Sequence, residues 1–432
     1  MTMKVRALFV FLLALATMLT VNCSPYSCQA EFGASTCTPS GGGLGGGGGN
    51  GGGGGGGGGT GTPTAFAFAV DEAGTIDGYT LNATAGTFGQ TVGYVAPVIP
   101  SNDGGVGMVV AQSQFLYAGF GNGTLYGWTI SASGNLTNIA GSPFTATFLQ
   151  DFVPPVGQAA IITNPSGTLL FMSDSIGEKI DVYSIGSGGV VSPVTGSPFT
   201  VPFEPMNLAT DGQGKYLYAI NGNPTTHTGS EIAAYTISSA TGSVGALTPV
   251  PGTPFVYPMW LLKPEPTGNY MVGTTGNNVT LSGNDDDNLY VFSITQTGAN
   301  AGALTQIGKT ATTYSPFSIA AQSNSGGNLI YSFSFNDTAT GFYPVEGFQI
   351  SSTGALTELS TSPFSNVAEG TWGQFDQLGT YLFVWGSYLD QSTNTQLTQL
   401  GPDQVGSGGV LTQPLPTLTL ASESFWTVTD PQ

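Results

Sequence analysis

From Thr62 onward, apolar and polar residues alternate in short runs closed by glycine, asparagine, aspartate or serine. This period of two belongs to half-buried strands. One stretch shows the unit plainly. Pro205 to Thr210 reads as a first strand, Asp211-Gly212-Gln213-Gly214 as a turn, Lys215 to Ile220 as a second strand, Glu231 to Ile237 as a third and Ala246 to Phe255 as a fourth. Equivalent second strands fall at Phe115 to Phe120, Leu169 to Ser173, Tyr270 to Thr274, Leu329 to Phe335 and Tyr381 to Trp385. Third strands follow at Thr124 to Ile130, Lys179 to Ile185, Leu289 to Ile294, Val345 to Ile350 and Thr395 to Leu400. Ala65 to Val70 and Ile76 to Leu81 supply the second and third strands of one more unit, which makes seven.

A phrase recurs with the units: a glycine, a pair near Leu-Thr, and Ser-Pro-Phe a few residues later. It runs from Gly354-Ala355-Leu356-Thr357 to Ser362-Pro363-Phe364, from Gly134-Asn135-Leu136-Thr137 to Ser142-Pro143-Phe144, and from Gly189-Val190-Val191-Ser192 to Ser197-Pro198-Phe199. Gly245-Ala246-Leu247-Thr248 reaches Thr253-Pro254-Phe255, and Gly302-Ala303-Leu304-Thr305 reaches Ser315-Pro316-Phe317 after a longer strand. Gly409-Val410-Leu411-Thr412 opens a copy without the closing Pro-Phe. A period of roughly 47 to 62 residues built from strands alone denotes a radial or stacked array.

The two ends complement each other. Glu423 to Gln432 reads as a first strand and its turn, since Thr429-Asp430-Pro431-Gln432 matches Thr210-Asp211-Gly212-Gln213, and the first unit lacks such a strand. The expected fold is all-β: a seven-bladed β-propeller of four-stranded antiparallel blades, its ring closed by the C-terminal strand pairing with Ala65 to Val70.

The units carry Gly214-Lys215-Tyr216-Leu217-Tyr218 in a second strand, Val182-Tyr183-Ser184-Ile185 in a third and Gly-Ala-Leu-Thr in fourth strands. With these motifs the chain from about residue 63 to residue 432 resembles the seven-bladed lactonase-type propellers, similar to the 6-phosphogluconolactonase of some bacteria and shading into the YVTN-repeat surface proteins. The motifs mark blade structure. For an enzyme, the resemblance implies His and Arg near the start of the inner strands, to polarise a lactone and hold a phosphate.

Composition bears on both location and chemistry. With 67 glycines and only 7% charged residues, the chain suits short strands and tight turns better than helices. Lys4 and Arg6 precede an apolar run from Ala7 to Val21, which suits a signal-peptide core and is short for a membrane span. Residues 1–22 are read as that signal, 23–61 as a flexible tether and 62–432 as the propeller. Leu19-Thr20-Val21-Asn22-Cys23 matches a lipobox in part, so Cys23 is the candidate lipidation site and cleavage after Ala30 the rival. Lipidation of Cys23 would leave Cys28 and Cys37 as a pair able to close a disulfide in an oxidising compartment. Gly41 to Gly59 is glycine except for Leu44 and Asn50. Such a run behaves as a flexible coil spanning on the order of 25 Å.

Beyond residue 22 the only basic side chains besides His227 are Lys179, Lys215, Lys263 and Lys309, set against 25 acids. No basic surface exists to neutralise phosphates, which excludes nucleic acid as a partner, and without arginine the bidentate phosphate grip is absent. Lys215, Lys263 and Lys309 are expected near turns or outer strands.

Candidate chemistry is sparse. His227, the one histidine, sits in the polar stretch Asn223 to Gly229, where a solvated side chain is the ordinary reading. Glu204, Glu369 and Glu423 align just before the inner strands of three units. They are candidates for a carboxylate mouth that holds a divalent cation such as calcium, or for acid-base work beside His227; the plain alternative is solvated loop acids and no cofactor. Asn284-Asp285-Asp286-Asp287-Asn288 is a second acidic cluster, without the spacing of an EF-hand. Trp260, Trp372 and Trp426 fall on inner strands near their start, as ligand-stacking faces or as packing between blades.

Two functional readings lead, with a purely structural surface protein as a third. One is a monomeric, exported, membrane-tethered propeller, in the periplasm, on the outer membrane or at the cell surface, binding or scaffolding an envelope glycan, protein or small molecule without catalysis. The other is a lactonase-like hydrolase acting on a non-phosphorylated lactone. The missing arginines and histidines favour the first.

Overall fold

The computed structural model describes residues 62–429 apart from 71–74, 98, 100–104, 121–122, 147–159, 222–230, 277–285, 325–326, 335–343, 366, 369, 391–394, 414, 416 and 422–424. The signal peptide, Cys23 and the glycine tether lie outside the described residues.

Seven antiparallel sheets form the blades, each running outward from an innermost strand. Blade one takes its inner strand, Phe425–Thr429, from the C-terminus, then continues with Ala65–Val70, Ile76–Asn82 and Thr87–Gln90. The expected closure is present in register, from Phe66 opposite Thr429 to Val70 opposite Phe425. Blades two to seven begin at Gly105–Ala111, Ile161–Thr163, Asn207–Thr210, Leu261–Pro264, Pro316–Asn324 and Trp372–Phe375. Ala65–Val70, second in its blade and flanked by strands on both sides, is buried throughout.

Blades have four or five strands, where four were expected. In blades two, three and four the fifth strand follows Ser-Pro-Phe or Thr-Pro-Phe; blade seven has its own, Leu418–Ala421, without that motif, and in blade six Phe364 makes only a single bridge to Val345. In blade four the outer strand Leu247–Pro249 leaves the third strand after three residues, and Thr253 Oγ1 then accepts the Ala234 N–H at 2.8 Å. Past a cis peptide at Pro254 the chain rejoins as Phe255–Val256, opposite Glu231 and Ile232. Ser142, Ser197 and Ser362 accept the N–H groups of Gly127, Val182 and Gly347 at 3.0, 2.9 and 3.1 Å in the same way. The hydroxyl satisfies a backbone donor that the departing strand leaves behind. Ser315-Pro316-Phe317 is different: blade five keeps an unbroken outer strand, Leu304–Ala311, and Pro316 begins the inner strand of blade six.

The repeated glycine is the joint between blades. Gly302 has φ of 95°, and a Cβ there would lie 2.6 Å from the Tyr216 ring of the preceding blade. Only glycine combines that backbone with that approach. Clusters such as Phe171, Ile180, Val182, Leu208, Leu217 and Ala233 fill the space between neighbouring blades, so the core is a ring of wedges around an axial channel.

Candidate ligand channel

Position along the inner strands sorts the channel into three levels. Where these strands start, Trp260, Leu261 and Phe317 are buried against one another, with Ile162, Met206 and Trp372 packed around them. Phe317 meets Trp260 at 6.2 Å and Trp372 edge-on at 5.4 Å between ring centroids. These side chains come from five blades and form an apolar floor. Trp260 is fully buried and offers no open face for stacking; Trp372 is half-buried. Trp426 pairs with Ala69 in the closing strand. Hydrogen bonds tie the inner strands together at this level: Asn207 Nδ2 donates to the Trp260 carbonyl at 2.9 Å and Ser318 Oγ to the Thr371 carbonyl at 2.6 Å.

Two to three residues further along lies a neck of about 250 Å³, lined by Lys263, Pro264, Ile319, Ala320, Ala321, Gly373, Gln374 and Phe375. Lys263 belongs to the innermost strand of blade five, opposite Val272, not to a turn or an outer strand as expected. It lines the neck together with residues of the inner strands of blades six and seven. It is half-buried between the channel walls, and desolvation there pushes its ammonium below the ordinary lysine range. Among the described residues its Nζ has neither a hydrogen-bond nor an ion-pair partner. Lys309, by contrast, pairs with Asp286 at 3.3 Å on the outer part of blade five.

Beyond the neck the channel widens into a mouth of about 720 Å³, framed by Gln112, Ser113, Asn164, Ser166, Gln322, Gln374 and Gln377, with Thr163 and Thr210 deeper. Gln112, Ser113, Asn164, Ser166 and Gln377 occupy turns that join first to second strands, while Gln322 and Gln374 stand on the inner strands themselves. Two glutamines brace neighbouring blades: Gln112 Nε2 donates to the Gly167 carbonyl at 3.0 Å and Gln322 Nε2 to the Gln377 carbonyl at 3.2 Å. Asn164 Oδ1 accepts the Thr168 and Leu169 N–H groups, both at 2.9 Å. Asp376 Oδ1 accepts those of Thr380 and Tyr381 at 2.7 and 2.9 Å, so this acid shapes its own turn. Gln112 and Ser113 both have φ of 54°, an uncommon backbone for non-glycine residues, held at the lip of the mouth.

The candidate residues read from the sequence belong to the opposite face, at the starts of the inner strands. There Glu204 is exposed, while Glu369, Glu423 and His227 lie outside the described residues. Among the described residues no group of three or more His, Cys, Asp or Glu side chains is placed to hold a metal ion. Asp286 and Asp287 of the acidic cluster are engaged: Asp286 accepts from Tyr290 and Asn288 besides Lys309, and Asp287 from Ser315.

Neither a family model nor a curated protein matches the sequence. Solved structures do. A putative 6-phosphogluconolactonase from Bacteroides uniformis superposes with a TM-score of 0.55 at 15% identity, over 85% of this chain and 99% of its own. The periplasmic gluconolactonase of Pseudomonas aeruginosa gives 0.54 at 13%, over 86% and 99%. A Lactobacillus plantarum protein gives 0.53 at 13%, over 85% and 99%. The fold is that of the seven-bladed lactonase-type propellers.

Proposed function

We propose that this protein is an exported lactonase-type propeller that binds a non-phosphorylated, polyhydroxylated ligand of the sugar-lactone class in the mouth of its central channel. The observation that carries this reading is the mouth itself: amides and hydroxyls from blades two, three, four, six and seven converge on one cavity. Such groups both donate and accept, which matches sugar hydroxyls. The absence of arginine beyond residue 22 argues against a phosphorylated ligand. Export and tethering through Cys23 rest on the basic and apolar pattern of the first residues.

Hydrolysis of the bound lactone is the second reading. The names of two structural neighbours, a putative 6-phosphogluconolactonase and a periplasmic gluconolactonase, favour it. It requires a base and an oxyanion stabiliser within reach of one carbonyl. Asp376 spends one oxygen on two backbone donors, so the base would come from elsewhere in the channel.

Calorimetric titration with glucono-1,5-lactone and its 6-phosphate tests both readings. Saturable binding of the first and not the second supports the proposal, and weakening by Gln374→Leu places the ligand in the channel. Preference for the phosphate overturns it. Lactone opening above the uncatalysed rate would select hydrolysis.

A further inference from the structure

The neck holds a charged group with no task in the fold. Lys263 is the channel's one lysine: Lys179 opens a third strand, Lys215 lies in a turn and Lys309 is paired with Asp286. Around it stand Pro264, Ile319, Ala320, Ala321, Gly373, Gln374 and Phe375, none of them titratable, so no carboxylate of the described walls answers it. Lys263 is half-buried, so its ammonium keeps part of its water, but the apolar neck thins that hydration and offers no protein charge in exchange, which favours a charged partner. Here the missing partner would have to come from solution. The protein's charge of −19 repels anions at a distance, so affinity for an anion must be local to this one group. The cavity's 250 Å³ equals the share of about eight waters in the liquid, which limits the guest to a few carbon atoms. Its walls are mainly aliphatic, with the Phe375 ring and the Gln374 amide.

We propose that Lys263 makes the neck a receptor for a short-chain carboxylate, with the carboxylate on the ammonium and the carbon chain against Ile319, Ala320 and Phe375. The proposal shares with the reading above an open channel, but not a sugar-lactone ligand. Burial favours the neutral amine and a bound carboxylate favours the ammonium, so any neutral fraction at the working pH takes up a proton on binding, and that uptake grows as pH rises.

Calorimetry with butyrate in buffers of different ionisation enthalpy reads affinity and proton uptake together, with butyramide as the neutral control. Butyrate should bind saturably and outcompete butyramide, with proton uptake increasing as pH is raised. Lys263→Met should lower butyrate affinity by about 10- to 100-fold, the range of a charge-assisted hydrogen bond, and leave butyramide unaffected. Lys263→Arg should retain binding with no proton uptake. Met suits apolar walls, and a cooperative melt of each variant shows that it folds. Equal butyrate affinity in wild type and Lys263→Met, or no saturation in wild type, overturns the proposal. Glucono-1,5-lactone titrated in parallel separates the two ideas. Lactone binding without butyrate binding removes only the Lys263 receptor, butyrate binding without lactone binding removes only the lactone mouth, and silence to both removes the two together.

Discussion

Tyr331 of blade six donates its phenolic hydrogen to the carbonyl of Gly409 in blade seven at 2.6 Å. Tyr117 does the same for Gly189 at 2.6 Å, and Tyr218 for Gly302 at 3.1 Å. Each phenol is buried, and each accepting glycine belongs to the repeated phrase. Tyr331→Phe removes the donor and leaves the Gly409 carbonyl buried, so it should cost about 1–3 kcal/mol, read as a lower urea midpoint at unchanged slope. Burial also pushes the Tyr331 phenol above its ordinary value. Its folded pKa therefore exceeds the unfolded one near 10, so its contribution is complete below that value and fades as pH rises through the folded pKa. A phenylalanine variant as stable as wild type at pH 7 would show the bond to be incidental.

The glycines should divide by their surroundings. Gly302 and Gly242 have similar backbones, with φ of 95° and 88°, but a Cβ on Gly302 meets Tyr216 at 2.6 Å while one on Gly242 meets nothing within 4 Å. Gly242→Ala carries only the left-handed penalty of about 1–2 kcal/mol. Gly302→Ala adds a clash at the blade joint and should cost clearly more, or prevent folding. Equal melting temperatures would count against the joint as the reason for the repeat.

This contrast shows why the fold was legible and the channel was not. Every copy of the glycine phrase faces the same joint, so one physical demand repeats at each unit and stands out as periodicity. Asn207–Thr210 and Leu261–Pro264 are equivalent strands, yet Ala209 of one becomes Lys263 in the other, and a residue needed once leaves no period. The signal was present in aligning Pro264 to Tyr270 with Thr210 to Tyr216, which puts Lys263 on the inner strand. Ser315-Pro316-Phe317 misled for the converse reason: Ser-Pro-Phe, with Thr for Ser in blade four, serves an outer-strand break in four blades, whereas this copy begins the inner strand of blade six. The mouth is made of Gln112, Asn164 and Gln377, ordinary turn residues, and Gln322 at the end of an inner strand, and their convergence depends on ring closure.

Asp211 and Asn164 hold equivalent turns with different chemistry. Asp211 accepts the Lys215 and Tyr216 N–H groups at 2.6 and 2.8 Å, as Asn164 accepts those of Thr168 and Leu169. Burial raises the Asp211 carboxyl despite these donors. Its contribution is therefore fully present below the unfolded pKa near 3.9 and falls as pH rises through the folded value. Asp211→Asn keeps the acceptor without the charge and should stay within about 1 kcal/mol of wild type at pH 7, while Asp211→Ala should cost about 1–3 kcal/mol. Chemical denaturation of both variants at pH 4 and 7 checks the order; an Asn variant as damaged as Ala would mean the charge itself holds the turn.

Lys263 should leave a mark on stability even without ligand. Its folded pKa is lowered, so between that value and the unfolded one near 10.4 the unfolded chain binds more protons and stability rises with pH. Lys263→Met removes the group and its pH dependence. The variant should melt higher than wild type at pH 7, with the gap narrowing toward pH 10. Scanning calorimetry across that range checks it, and a variant that melts lower at neutral pH would mean that the ammonium has a stabilising partner in the channel.

Ring closure is the most exposed dependence of the fold. Phe425–Thr429 covers one whole edge of Ala65–Val70, and every residue of that partner strand is buried. Removing residues 422–432 uncovers a row of backbone donors and acceptors on an apolar strand, the arrangement that recruits another chain edge to edge. The truncated protein should lose its cooperative melt and form higher-mass species, followed by light scattering. Because the missing piece is a single strand, a synthetic peptide of residues 422–432 should re-enter the gap and lower the scattering at stoichiometric excess. A peptide with Val428→Pro, which lacks a backbone donor opposite Ala67, should do so poorly. A truncated chain that stays monomeric with an unchanged melt would show that the six remaining blades and the outer part of blade one close without it.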